Sequence, residues 1–256
     1  MLFVAAACGT LAAAEVTLHT AIQSGVIAFE GTGNARDNAT AKLTNRTDSA
    51  IVLGIPAGTV FVSAKGARQV TLRSLTATIA AKDEATAIFP TAAMASSNGG
   101  SESALTPAPP IAQLGALLAQ FDKQPDLPRA TAQLAVFVIL EDIKWPDWVR
   151  WLPANPQPGK QPPTPTQVAQ AVDALAFVKL AVPELKPAVL ADENFKRLAL
   201  RNPWARGKAM VLYGITVDDA ITGDPSLPPD LGKLLHTSPN DNCAICRQRG
   251  KQPEFP

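Results

Sequence analysis

Val26-Ile27-Ala28-Phe29, Ala41-Lys42-Leu43-Thr44, Ile51-Val52-Leu53 and Val70-Thr71-Leu72 mark a stretch, residues 26 to 89, in which apolar and polar side chains alternate. A period of two sends one set of side chains to a core and the other to water, as in a half-buried antiparallel strand. Near Ile111 the apolar spacing changes to three and four, the period of an amphipathic helix. The chain is therefore expected to be α+β, with an N-terminal β-module followed by a small helical domain.

Outward from these four stretches, seven short strands are expected at 26–30, 40–45, 50–55, 59–62, 69–72, 76–80 and 85–89. The turn-formers Gly31-Thr32-Gly33-Asn34, Asn45-Arg46-Thr47-Asp48, Pro56-Ala57-Gly58 and Lys82-Asp83-Glu84 separate most of them. Strands of this number and spacing read as an immunoglobulin-like β-sandwich over residues 15–95, without the Cys and Trp that mark antibody domains. Ahead of them, Val16, Leu18, Ala21 and Ile22, closed by Gly25, fit one or two turns of helix.

Residues 96–110 are rich in Ser, Gly and Pro and read as a linker. A helical domain over 111–216 follows, with helices expected at 111–121, 130–143, 166–181, 192–200 and 207–215. Within it, 153–165 holds six prolines in thirteen residues and reads as an extended loop. Residues 217–256 form an irregular tail with one short amphipathic piece, Asp230 to His236.

At 256 residues and 46% apolar content the chain can bury real cores. Its 23 basic and 22 acidic side chains form no long run of one sign, which argues against nucleic acid and against a polybasic membrane contact. Aromatic residues make up 5% with a single Tyr, while Ala and Pro abound, a composition that reads as bacterial. The apolar start Met1-Leu2-Phe3-Val4 and the small run Ala12-Ala13-Ala14 before Glu15 read as a signal peptide, 1–14, cleaved after Ala14. The alternatives are a lipidated Cys8 after Val4-Ala5-Ala6-Ala7 and an uncleaved helix. No later segment reaches the roughly 18 unbroken apolar residues of a membrane span, so the mature chain is expected to be soluble, and its leader is expected to export it to the periplasm or beyond.

The strings Leu18-His19-Thr20-Ala21-Ile22-Gln23-Ser24-Gly25-Val26-Ile27, Gly31-Thr32-Gly33, Lys42-Leu43-Thr44-Asn45-Arg46-Thr47 and Ile55-Pro56-Ala57-Gly58-Thr59-Val60-Phe61 resemble an uncharacterised group of exported bacterial proteins. In that group a short helix leads into a β-sandwich with an Asn-rich hairpin, and a helical region follows in which a Gln opens a segment ending in an acidic pair. Gln133-Leu134-Ala135-Val136-Phe137 to Glu141-Asp142 is similar. The resemblance covers about two thirds of the chain by its turn signatures, so it implies fold and export and carries over no catalytic residue.

Chemistry is concentrated in two places. Cys243-Ala244-Ile245-Cys246 is a thiol pair that an oxidising compartment would close into a disulfide; with His236 it offers three candidate metal ligands, and redox exchange is the third possibility. Arg247 stands where a haem attachment site requires His. Trp145, Trp148 and Trp151, three residues apart, either pack into the helical core or present a face to sugars or a peptide. Gly31-Thr32-Gly33-Asn34-Ala35-Arg36 lacks the third Gly of a dinucleotide fingerprint and reads as a hairpin turn. No Gly-x-Ser-x-Gly elbow is present, and His19 and His236 are the only histidines. Glu141 and Asp142 point to different sides of a helix and read as a solvated helix end.

With no coherent catalytic set and no cofactor motif, the leading expectation is a non-enzymatic interaction or structural protein of the cell envelope, whose partner is another protein or an envelope component. The alternatives are a thiol-redox or metal-binding protein acting through Cys243 and Cys246, and a carbohydrate-directed module using Trp145, Trp148 and Trp151.

Overall fold

The computed structural model describes residues 15–33, 38–96, 103–148, 163–222 and 227–234. These divide into two compact units. The first comprises the residues up to Thr91 together with 103–110, and the second comprises 92–96 and the residues from Ile111 onward. The architecture is α+β, with strands in the first unit and helices dominating the second.

The first unit opens with β1 (Glu15–Thr17) and the short helix α1 (Leu18–Gln23), capped where the Thr17 side chain accepts from the Thr20 amide. There follow β2 (Ile27–Gly33), β3 (Ala39–Asn45), β4 (Ile51–Ile55), β5 (Val60–Ser63), β6 (Arg68–Thr71), β7 (Leu75–Ile79) and β8 (Glu84–Phe89). β9 (Thr91–Ala93) carries the chain into the second unit, and β10 (Ser103–Ala108) returns to the first. The strands form a three-stranded sheet, β1-β4-β7, and a seven-stranded sheet, β8-β3-β2-β10-β5-β6-β9. In the small sheet β1 runs parallel to β4, whereas the large sheet is antiparallel from β8 to β6.

Alternation explains the core. In β3, Ala39, Ala41 and Leu43 are buried while Thr40 and Lys42 face water. They join Ile27, Phe61, Phe89 and Leu105 from the large sheet, Leu53, Ile55 and Ile79 from the small one, and Leu18 and Ala21 from α1 in a single cluster. Phe61 anchors it, stacked on Phe29 at 5.6 Å and tilted against Phe89 at 5.3 Å. The Pro56-Ala57-Gly58 turn is closed by the Thr59 amide donating to the Pro56 carbonyl, and its third residue, Gly58, has φ +92°, as a type II turn requires.

Two expectations need correction. Residues 103–108 are not linker: β10 lies between β2 and β5 in the large sheet. Its Pro107 is tolerated because β2 pairs only with Ser103 to Leu105, so the missing N–H falls where β5 is the sole neighbour. Likewise Gly31 and Gly33 belong to β2 instead of a hairpin turn. A Cβ at Gly31 would lie 2.4 Å from the Phe29 ring, and one at Gly33 2.6 Å from the Gln69 amide nitrogen. Glycine there serves close packing.

The second unit contains α2 (Gly115–Asp122), α3 (Arg129–Glu141), α4 (Trp145–Trp148), α5 (Pro165–Ala181), α6 (Glu193–Arg201), α7 (Arg206–Tyr213), α8 (Val217–Thr222) and α9 (Leu231–Leu234). A capping box starts α5: the Thr164 hydroxyl accepts from the Gln167 amide and the Gln167 side chain accepts from the Thr164 amide, with Pro165 in the first turn. Leu117, Leu118 and Phe121 of α2, Leu134, Phe137 and Val138 of α3, Val172, Leu175 and Val178 of α5, and Phe195 of α6 are buried. The buried Arg206 guanidinium donates to the carbonyls of Leu200, Arg201 and Leu234, gathering the C-terminal ends of α6 and α9 on one cation. No helix among the described residues is long and apolar enough to cross a membrane.

Candidate functional site

Asp173, Ala176, Phe177 and Leu180 recur at helical spacing along one face of α5. Beside them stand Lys208 of α7 and the α2–α3 connection, Gln124-Pro125-Asp126-Leu127-Pro128. Together they line an open cleft of about 530 Å³, within the range of ligand-binding clefts. The connection is held in consecutive turns, with the Gln124 amide donating to the Phe121 carbonyl and the Leu127 amide to that of Gln124. Phe121 meets Phe177 edge-on at 5.9 Å and fixes the aromatic wall.

The lining is mostly apolar and includes the charged side chains of Asp126, Asp173 and Lys208. Lys208 Nζ lies 2.5 Å from Asp173 Oδ1, which leaves Asp126 as the excess carboxylate and the lining one unit negative. Leu180 is 60% exposed, and Trp204 ahead of α7 (62%) and Val211 within it (80%) are exposed too. Chemically the cleft can desolvate an apolar group and pair a cation. Its lining residues include no Ser, Thr, Cys or His that could act as a nucleophile.

A second cleft, of about 370 Å³, is lined by Glu193, Lys196, Arg197 and Arg201 with Leu227, Pro228 and Pro229. Its cations are engaged already: Arg197 with Asn194, Arg201 with Asp230, and Lys196 over the Tyr213 ring at 5.8 Å. Burial, with the carboxylates of Glu193 and Asp192 nearby, pushes the Tyr213 phenol far above its ordinary range, so it stays neutral.

Of the two readings of the tryptophans, the structure shows core packing for Trp145 and Trp148. Trp145 and Trp148 are 3% and 0% exposed; Trp145 packs on Phe195 at 4.6 Å, and the Trp148 indole donates to the Ile143 carbonyl at 2.8 Å. They build the core because large aromatic surface is worth most when buried. Trp151 lies outside the described residues, as do Cys8, His236, Cys243 and Cys246. No group of three His, Cys, Asp or Glu side chains among the described residues is placed to hold a metal ion. His19 is half-buried on α1. Glu141 and Asp142 are more than a solvated helix end: they accept from the backbone amides of Ser96 and Ala188, each at 2.7 Å.

Leu180, Phe177 and Lys208 were not singled out by sequence reasoning. The available signal was α5 itself, which carries apolar residues nearly all round and so more than one buried face needs. Comparison with protein-family models, with curated proteins and with solved structures finds no match to the chain.

Proposed function

We propose that the protein is an exported, non-enzymatic interaction protein of the bacterial cell envelope, and that the α5–α7 cleft receives an apolar segment of a partner protein carrying a basic residue. The observation that carries this reading is the open apolar cleft beside the exposed Leu180, with Asp126 as its excess negative charge. Apolar walls favour an aliphatic or aromatic side chain, and Asp126 favours an adjacent Lys or Arg. An immunoglobulin-like sandwich is the finer reading of the first unit, supported by two sheets of unequal size sharing one core. Export rests on Ala12-Ala13-Ala14 and on the resemblance in the turn sequences. The Cys243-Ala244-Ile245-Cys246 motif favours a second reading, a thiol or metal role for the tail, which thiol labelling with and without reductant separates from the first.

Panning a displayed random-peptide library against the full chain tests the cleft. Peptides joining an apolar residue to Lys or Arg should be enriched, and Leu180→Asp should weaken their binding by about tenfold or more. No enrichment, or binding unchanged in Leu180→Asp and Asp126→Lys, overturns the reading.

A further inference from the structure

β8 ends the order of the large sheet, so among the described residues one of its edges has no strand beside it. The side that faces β3 is identified by the Asn45 amide, which donates to the Asp83 carbonyl at 2.9 Å. Alternation then turns the backbone groups of Ala85, Ala87 and Phe89 toward β3 and those of Glu84, Thr86 and Ile88 outward. The same three outward residues are the exposed ones, Ile88 at 59%. Natural edges are guarded by charges, bulges or Pro. Here the one charge in the strand, Glu84, is drawn across to β3, 2.8 Å from Lys42 Nζ and accepting from the Thr44 hydroxyl. Residues 85–89 contain no charge and no Pro.

We infer that the β8 edge is a self-association site at which a second copy of the chain adds its own β8, antiparallel, about a two-fold axis at Ala87. The ends of the open ladder carry this choice of occupant. At one end the Glu84 N–H is already taken, donating to Asp83 Oδ1 at 2.8 Å. At the other, Pro90 has no N–H and its carbonyl accepts from the Leu72 amide at 2.8 Å. The register about Ala87 places Glu84 opposite the mate's Pro90, so the closed ends meet, and the open groups of Thr86 and Ile88 exchange four hydrogen bonds with the mate's Ile88 and Thr86. It sets Thr86 beside the mate's Ile88, a β-branched pair. The two Glu84 side chains stand about 20 Å apart along the strands, where their repulsion is negligible. A contact of one short strand per copy falls below the roughly 1,000 Å² of a stable interface, so the dimer is weak and concentration-dependent.

The test is sedimentation of the full chain over increasing concentration together with amide hydrogen exchange. The weight-average mass should rise toward twice the monomer value, with protection gained at Thr86 and Ile88 and unchanged at Ala85, Ala87 and Phe89, whose amides already bond to β3. Thr86→Pro, which deletes an outward N–H, and Ile88→Lys should each remain monomeric while keeping the thermal midpoint of the parent. A parent chain that stays monomeric at several hundred micromolar (about 500 µM) overturns the inference. So does a dimer that leaves exchange at Thr86 and Ile88 unchanged.

Discussion

The Asn45 side chain ties three segments of the first unit together. Its Nδ2 donates to the carbonyls of Ser49, Ile79 and Ala80 at 2.8, 3.2 and 2.9 Å, and its Oδ1 accepts from the Thr47 amide and hydroxyl. Being buried, these groups have no water to turn to. Asn45→Asp would replace the donor with a charged acceptor among carbonyl oxygens and should cost about 3 kcal/mol or more, read by urea denaturation. Gln133 has the same place in the second unit: Nε2 donates to the Ala93 carbonyl at 2.8 Å and Oε1 accepts from the Ala93 amide at 2.7 Å. Gln133→Leu orphans both backbone groups, and a loss of about 2–4 kcal/mol is expected in the same measurement, with unchanged stability contradicting it. Sequence shows Asn45 as a turn-former and Gln133 as the start of a helical segment. It does not show their partners, which lie up to 35 and 40 residues away and are brought in by tertiary folding.

At the scale of the element, α8 depends on pH through its cap. The Thr216 hydroxyl and amide both donate to Asp219 Oδ2, at 2.6 and 2.8 Å, and the Asp219 amide donates back to the Thr216 hydroxyl. These bonds, the hydroxyl's first, hold the Asp219 carboxyl below its ordinary value. The folded value lies under the unfolded one, so the cap's contribution is complete above the unfolded value and is lost as pH falls through the folded one. Backbone carbon shifts of 217–222 should therefore move toward coil only in acid below the ordinary aspartate range, and Asp219→Asn should abolish that step. Elements whose period reaches the core on one side were legible: β3 alternates cleanly, and α6 sets Phe195, Ala199 and Leu200 against charged neighbours. β10 was not, because Ser, Thr and Pro make up half of it and its place is fixed by β2 and β5 instead of by a pattern of its own. The cleft was hidden for a related reason, since helical period places Leu180 on α5 without saying whether a neighbour covers it.

For the whole molecule, the return of the chain into the first unit sets where it can be divided. A fragment of residues 15–95 lacks β10 and leaves β2 and β5 without their shared neighbour, whereas 15–110 retains it. The longer fragment should show a cooperative urea transition with strand-type circular dichroism and the shorter one should not; a folded 15–95 would refute the topology. Whether the α5–α7 cleft is where this protein meets a partner is tested by photo-crosslinking in the native host. A photoreactive side chain at Leu180 is compared with one at Asp48, an exposed position on the first unit. A discrete protein adduct is expected from position 180, absent at 48 and lost when Asp126→Lys is added. Equal labelling at both positions, or none at 180, would contradict it.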